Sequence, residues 1–178
     1  DLQLAAARFT VDVPDFESAL ADVDLDTLAA AGAAYRGELL AGLALEEPAF
    51  DDWLRAQRQR LHEHALRLFE RLGAGLQTAG RIEPALQATL RLLELDPLHE
   101  PAHRRLMRLQ AGLGRRNAAL RQYQVCVDVL RRELGTEPEP ATRRLYHELL
   151  RMPAAEAGPT PGPQPAAATR PVHEAPLV

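Results

Sequence analysis

The chain has 178 residues, of which 46% are hydrophobic but only 4% aromatic, and its formal net charge is −4. This length suffices for one ordinary domain, whose core must be mostly Leu and Ala; both are strong helix formers, so we expect an all-α fold. The single cysteine, Cys126, excludes a disulfide framework and is typical of a reducing cytoplasm, and no apolar run approaches the ~20 residues needed to cross a bilayer.

The charge is unevenly distributed along the chain. Residues 1–54 contain 2 Arg and 12 acidic residues, a net charge of −10, whereas residues 104–151 contain 11 Arg and 5 acidic residues, a net charge of +6. Either the two halves attract each other or are simply solvated, or the basic half binds nucleic acid or an acidic partner. The scarcity of aromatic residues argues against binding of single strands by base stacking.

The N-terminal part predicts a connector, two short helices and a loop. Residues 1–13 show a strand-like alternation that Pro14 ends, so we expect them to be the tail of something upstream. Two short helices follow, the first with Pro14 near its start and the second opened by Asp24 or Asp26. Residues 36–47 then predict a glycine-punctuated loop with exposed leucines.

A long amphipathic helix is predicted from Pro48 onward. Its apolar residues recur at spacings of three and four, so one face should be buried. We expect Trp53 to be the largest core anchor of that face rather than a ligand platform. The predicted buried residues are Phe50, Trp53, Leu54, Leu61, Ala65, Leu68 and Leu72.

Four further helices are predicted, and the structured part then stops. They end near Leu95, Leu113, Leu134 and Arg151. Residues 152–178 are rich in Pro, Ala and Gly without periodicity, which predicts a disordered linker. The helical domain is therefore expected over residues 14–151, with about seven helices.

A 34-residue period, the length of the tetratricopeptide helix–turn–helix unit, runs through this domain. Gly80-Arg81 and Gly114-Arg115 are separated by that period. We expect Gly73 and Ala85 to let the two helices of a pair approach closely, and Gly80 to form the turn between them.

The corner "LELDPLHEPAHRRLMR", residues 93–108, separates one helical pair from the next. Pro97 lacks an N–H and cannot continue a helix. Pro101 is tolerated only in a first turn, so the next helix should start at about residues 98–100.

No residue pattern predicts a metal site, a cofactor or catalysis. His99 and His103 are four residues apart, but no third ligand stands at metal-binding spacing, so we expect ordinary histidines on a helix surface. His62 and His64 are two apart and face different sides of their helix. Cys126, between two valines, fits a small packed residue, and the phosphate-loop, GxSxG and HExxH motifs are absent from the sequence. We therefore expect no catalytic residue, no cofactor and no enzyme activity.

Six motifs in fixed order carry a family resemblance. They are "VDVPDFE" (11–17), "YRGELLAG" (35–42), "FDDWLRAQRQRL" (50–61), "LLELDPLHEPAHRRLMR" (92–108), "GRRNAALRQYQVC" (114–126) and "LRRELGTEPEPATRRLY" (130–146). On these motifs the chain resembles, over roughly residues 9–151, the bacterial transcriptional activator domain of SARP/AfsR-type regulators.

The resemblance implies a tetratricopeptide-like superhelix that regulates transcription. In that family the domain follows a winged-helix DNA-binding domain and acts through protein contacts or oligomerisation. Residues 1–13 resemble the end of such a winged-helix domain and are expected to be a connector from it. We therefore expect a cytoplasmic protein whose partners are the transcription machinery, neighbouring domains of its own chain or a second copy in a homodimer. DNA would be bound only through an upstream domain, and no membrane contact is expected.

Two alternatives stay open at this point. Residues 35–54 also resemble versions of the domain found in larger signalling proteins with nucleotide cyclase or NTPase modules, where it would be a sensor or scaffold. The net charge of +6 over residues 104–151 would also suit a domain that contacts DNA directly.

The register of the repeat predicts a partner-binding groove, because the first helix of each tetratricopeptide pair lines the concave face. The predicted groove residues are Arg67, Glu70, Gln77, Arg104 and Arg108. Arginine forks suit acidic groups and backbone carbonyls. The alternative is a solvated face, or one filled by the chain's own N-terminal helices.

Overall fold

The computed structural model describes residues 12–21, 24–43 and 47–152, and within these ranges every regular element is an α-helix. The helices are α1 (Asp12–Ala19), α2 (Leu25–Ala34), α3 (Pro48–Thr78), α4 (Ile82–Leu95), α5 (Glu100–Gly112), α6 (Arg116–Leu134) and α7 (Pro140–Arg151). The all-α, tetratricopeptide-like architecture of about seven helices is confirmed. Most of the predicted N-terminal connector, residues 1–11, and residues 153–178 of the predicted linker lie outside the described residues.

The start of α1 differs from the strand-like pattern, because Val13 is already helical and Pro14 is the third residue of the helix. Pro14 fits there since N–H groups of a first turn have no intrahelical acceptor. Asp24 opens α2: its Oδ2 accepts hydrogen bonds from the Thr27 N–H at 2.8 Å and the Thr27 hydroxyl at 2.9 Å. The bonds from Thr27 lower the pKa of Asp24, as expected for an N-cap carboxylate.

The loop after α2 is tied to α3 by one arginine. Arg58 donates from Nε to the Leu39 carbonyl at 2.9 Å and from Nη2 to the Leu40 carbonyl at 2.8 Å. Leu40 has a left-handed backbone, φ 50°, and is exposed. The prediction of a loop with exposed leucines is therefore confirmed for Leu40 and Leu43, whereas Leu39 is half-buried and packs against the core.

Helices α3 and α4 form the first tetratricopeptide pair, joined by Gly80. A Cβ atom on Gly73 would lie 3.1 Å from Thr89 Oγ1, so only glycine lets α4 approach this closely without a shift of its neighbours. Gly80 and Gly114 both have φ 72°, a left-handed conformation. The same turn therefore closes the α3–α4 pair and, 34 residues later, the α5–α6 pair.

Leucine and alanine dominate the core, as the composition predicts. One core cluster joins α1 to α5, and a smaller one formed by Met107, Ala119, Leu145 and Leu149 joins α5 to α7. Met107 stands 34 residues after Gly73 and is fully buried. In the second repeat a methionine side chain therefore occupies the position at which the first repeat has a glycine and a close approach of α3 to α4.

The prediction that Trp53 anchors the core is wrong. Leu54, Leu61, Ala65, Leu68 and Leu72 are buried, but Trp53 is 50% exposed and Phe50 is half-buried. Two physical reasons explain the difference. Trp53 lies about 100° around the helix from Leu54, at the edge of the buried stripe, and the main core cluster includes no residue of α3 before Leu61.

Candidate partner-binding surface

The corner between α4 and α5 is closed by its own polar groups. The Leu98 N–H donates to Asp96 Oδ1 at 2.9 Å, and His99 is the N-cap of α5, its Nδ1 accepting from the Ala102 N–H at 3.2 Å. Pro101 is the second residue of α5. The predicted helix start at residues 98–100 is thus confirmed, and His99 has a capping role.

His103 lies inside the corner, so the prediction of a histidine on the helix surface is wrong for it. It is 2% exposed, with Nε2 2.9 Å from the Pro97 carbonyl oxygen and Nδ1 2.7 Å from Gln122 Nε2. A neutral ring satisfies both contacts, since Nε2–H donates to Pro97 and Nδ1 accepts from Gln122. Burial lowers the pKa of His103, although the Pro97 carbonyl and the Glu100 carboxylate favour the charged form.

Two ion pairs connect α5 to its neighbours in the stack, one to α3 and one to the residue before α7. Arg105 of α5 binds Glu70 of α3 with both guanidinium arms, at 2.9 Å and 2.5 Å, and its side chain is 9% exposed. Arg104 of α5 donates from Nη1 to Glu139 Oε2, just before α7, at 2.7 Å. The two pairs are related by the 34-residue period with the charges exchanged, because Glu70 corresponds to Arg104 and Arg105 to Glu139. The Arg105 hydrogen bonds lower the pKa of Glu70.

A buried carboxylate holds the start of α7. Glu100, in the first turn of α5, accepts the Glu139 N–H at 3.1 Å and 2.9 Å and the Thr142 hydroxyl at 2.6 Å. The Thr142 hydroxyl in turn accepts from Arg104 Nη1 at 2.9 Å. Glu100 therefore caps α7 from another helix, a role that needs a partner 39 residues away and has no signature in the local sequence.

The five predicted groove residues fall into two groups. Glu70 and Arg104 are engaged in the interhelical pairs, and the Arg104 side chain is only 15% exposed. Arg67 and Arg108 are exposed, and Gln77 is half-buried. Among the described residues, none of the five is hydrogen-bonded or ion-paired to another of them. The structure thus places two of the predicted cations at the surface and assigns two other residues to holding the stack.

Five exposed arginines on the last three helices make no hydrogen bond or ion pair with any described residue, whereas Arg131 and Arg132 of α6 are paired with Glu137 and Glu133. The five are Arg108 on α5, Arg121 on α6, and Arg143, Arg144 and Arg151 on α7. Arginines from Arg55 to Arg91, in contrast, are each ion-paired or hydrogen-bonded. The basic charge of residues 104–151 is therefore only partly neutralised by the described residues.

Cys126 is fully buried, and burial raises the pKa of its thiol to about 12. The thiol is therefore protonated at neutral pH and behaves as a small packed residue, as the sequence predicts. Within the described ranges, no three His, Cys, Asp or Glu side chains are grouped so that they could hold a metal ion. No helix within those ranges is both long and apolar enough to cross a membrane.

The chain is similar to a known protein family over most of its length and to a curated protein over about half of its length. The family model of the bacterial transcriptional activator domain matches residues 7–150. The transcriptional regulatory protein MoaR1 of Mycobacterium tuberculosis is 31% identical over 92 residues, which cover 52% of this chain and 30% of MoaR1. The match thus spans less than a third of that relative. No solved structure matches the chain.

Proposed function

The chain belongs to the bacterial transcriptional activator domain family, and on that premise we propose that it is the partner-binding domain of a SARP/AfsR-type activator. Its role is regulatory. It acts by binding an acidic segment of a protein of the transcription machinery, of its own chain or of a second copy. The proposal involves no catalytic residue and no cofactor.

The observation that carries this proposal is the set of unpaired arginines on α5 to α7. Arg108 lies one turn after Arg104, on the exposed side of α5, and α5 is flanked by α3 on the Arg105 side and by α7 on the Arg104 side. Arg67, which is ion-paired with Glu63 at 3.6 Å, lies one turn before Glu70 on the exposed side of α3. Guanidinium groups bind carboxylates with two parallel hydrogen bonds, so this face suits an acidic protein segment.

The role of the arginine face depends on which domains accompany this one in the parent protein. By its family, the domain would follow a winged-helix domain that binds the promoter, and the arginines would then contact a protein of the transcription machinery. In the alternative parent, a signalling protein with a nucleotide cyclase or NTPase module, the same face would bind a neighbouring domain. The sequences on either side of residues 1–178 distinguish these two parents.

Direct contact with duplex DNA is a second candidate, and the same unpaired arginines favour it. The two candidates differ in their dependence on salt. Each phosphate contact lowers the logarithm of the DNA-binding constant by about 0.9 per tenfold increase in salt concentration. Measuring duplex binding by the chain as salt is raised tests this candidate, and no binding at low salt would dismiss it.

The test of partner binding is charge reversal at Arg108 and Arg144 in the parent regulator. We expect the Arg108→Glu, Arg144→Glu double variant to bind its promoter as the wild type does but to lose at least roughly tenfold in transcription in vitro with RNA polymerase, since truncating one interface anchor commonly costs this much. Arg104 is left unchanged because its replacement would release α7.

A matched control separates a specific loss from a change of net charge. The Arg81→Glu, Arg91→Glu double variant introduces the same charge change at exposed positions just before and on α4. This control should transcribe like the wild type. Equal transcription by the double variant and the wild type, with both folded by circular dichroism, would refute the arginine-mediated contact.

A further inference from the structure

A half-open cleft lies between α1, α3 and the loop that follows α2. Its volume of about 410 Å³ is in the range of pockets that hold small ligands. Among the described residues it is lined by Val13 and Phe16 of α1, by residues 34–41, and by Leu61 of α3. The unpaired arginines of α5 to α7 do not line it, so the cleft is separate from the surface that carries the proposed function.

The walls of the cleft are mainly apolar, and one of them is aromatic. The ring of Phe16 stacks on that of Tyr35, with centroids 5.3 Å apart and an angle of 24° between the ring planes. Val13, Leu39 and Leu61 contribute aliphatic surface. Such walls bind the apolar part of a ligand, because its surface is removed from water.

The loop that forms one wall of the cleft is fixed by α3. The Arg58 guanidinium donates to the carbonyls of Leu39 and Leu40, at 2.9 Å and 2.8 Å. Leu40 has a left-handed backbone, φ 50°, a conformation that leucine rarely adopts and that persists where surrounding contacts impose it. A wall fixed in this way is preorganised, so little conformational freedom is lost when a ligand binds against it.

The cleft also contains a cation without a partner. Arg36 lines the cleft, is exposed, and makes no hydrogen bond or ion pair with any described residue. The carboxylate of Glu38, which also lines the cleft, lies 3.1 Å from Arg58 Nε and is neutralised by it. One guanidinium group therefore stands beside apolar walls, which suits a ligand with an apolar body and a single anionic group.

We propose that this cleft binds a small apolar carboxylate, which acts as an effector of the regulator. The carboxylate pairs with Arg36, and the apolar body packs between the Phe16–Tyr35 ring pair and the loop. A ligand in this position contacts α1, the loop and α3 at once, so it stabilises the packing of α1 on α3. The site adds a small ligand to the proposed function without depending on the arginines of α5 to α7.

Octanoate is the probe, because it combines an aliphatic chain with one carboxylate. In the full 178-residue chain, we expect saturable octanoate binding by isothermal titration calorimetry. The Tm should rise with octanoate concentration, since a ligand that binds only the folded chain stabilises it. Nuclear Overhauser effects should connect octanoate protons with the rings of Phe16 and Tyr35. Octanol, which has the same chain without the charge, should bind at least roughly tenfold more weakly because it loses the charged hydrogen bond to Arg36.

Two variants with matched controls locate the site. Arg36→Gln should weaken octanoate binding at least roughly tenfold and leave octanol binding unchanged, whereas Arg108→Gln, at another exposed and unpaired arginine, should bind octanoate like the wild type. Ala34→Trp adds an indole ring at an exposed position that lines the cleft, so it should abolish binding of both probes. Ala30→Trp, at an exposed position of α2 outside the cleft, should bind both probes normally.

Three outcomes would overturn the proposal. The first is no saturable octanoate binding by a chain that is folded by circular dichroism. The second is binding that Arg36→Gln and Ala34→Trp leave unchanged, which would place the ligand elsewhere. The third is a set of nuclear Overhauser effects from residues 1–11 to the Tyr35 ring without octanoate binding, which would show that the chain's own N-terminal residues occupy the cleft. None of these outcomes bears on the arginine-mediated contact, which the Arg108→Glu, Arg144→Glu variant tests separately.

Discussion

The imidazole of His103 lies between the Pro97 carbonyl and the Gln122 amide, at 2.9 Å and 2.7 Å. Both partners are remote in sequence, six and 19 residues away. Nothing in the local pattern distinguishes a buried histidine from a surface one at such a position. The same limit applies to Trp53, whose exposure depends on where the neighbouring helices end. Individual side-chain environments were thus the least predictable scale from sequence.

Stability should fall in acid because of His103. Its pKa is lowered in the folded chain from an ordinary value of 6.5, so below about pH 6.5 the unfolded chain takes up a proton that the folded chain does not. The free energy of unfolding should therefore decrease as the pH falls from 6.5 towards the folded pKa, by at most about 1.4 kcal/mol per pH unit. Above pH 6.5 this contribution is fully present.

Urea unfolding across this pH range is the measurement. His103→Gln should flatten the dependence while retaining an amide for the hydrogen bonds. The same substitution at the exposed His147 controls for loss of a histidine as such. An unchanged slope in His103→Gln would show that other groups carry the pH dependence.

Helices and turns are the scale at which sequence and structure agree best. The ends of α4 to α7 were predicted to within about two residues, because Pro97, Gly80, Gly114 and the leucine spacing act locally. The polar contacts between successive pairs were not predicted, since they join residues more than thirty positions apart. Glu100, the cap of α7, is the clearest such case.

Removal of the Glu100 carboxylate should loosen α7 selectively. Glu100→Ala leaves the Glu139 N–H and the buried Thr142 hydroxyl without their acceptor, which should lower the free energy of unfolding by about 1–3 kcal/mol. Hydrogen exchange of α7 amides should accelerate, while that of α3 and α4 stays unchanged. Glu133→Ala, at an exposed position of α6, should change stability by less than about 0.5 kcal/mol. Exchange in α7 as slow as in the wild type would contradict the capping role.

The whole molecule is a stack in which most helices contact only their neighbours along the chain. The main contacts run from α3 to α4, α4 to α5, α5 to α6 and α6 to α7, with α5 to α7 as the one further step among the stronger contacts. Stability in such arrays is roughly a sum of units and nearest-neighbour interfaces. The 34-residue period predicted that successive helices would stack in chain order. It did not predict that the core is divided into a large and a small cluster.

Unfolding should therefore proceed from the C-terminal end. The cluster joining α5 to α7 contains four buried residues, against seventeen in the cluster joining α1 to α5. In low concentrations of urea, amides of α6 and α7 should exchange through an opening of lower free energy than those of α3 and α4. Identical opening free energies along the chain would instead show a single cooperative unit.

The reversed ion pairs, Glu70–Arg105 and Arg104–Glu139, bear on misassembly. Repeats similar enough to stack are also similar enough to stack in the wrong order, or with a repeat of another chain during synthesis. Here the first helices present acid, base and acid in succession. Skipping the middle unit would bring Glu70 against Glu139, and pairing two middle units would bring arginine against arginine, so each error leaves like charges in contact. The alternation of charge therefore disfavours stacking of the units in the wrong order. Identical repeats would have no such discrimination.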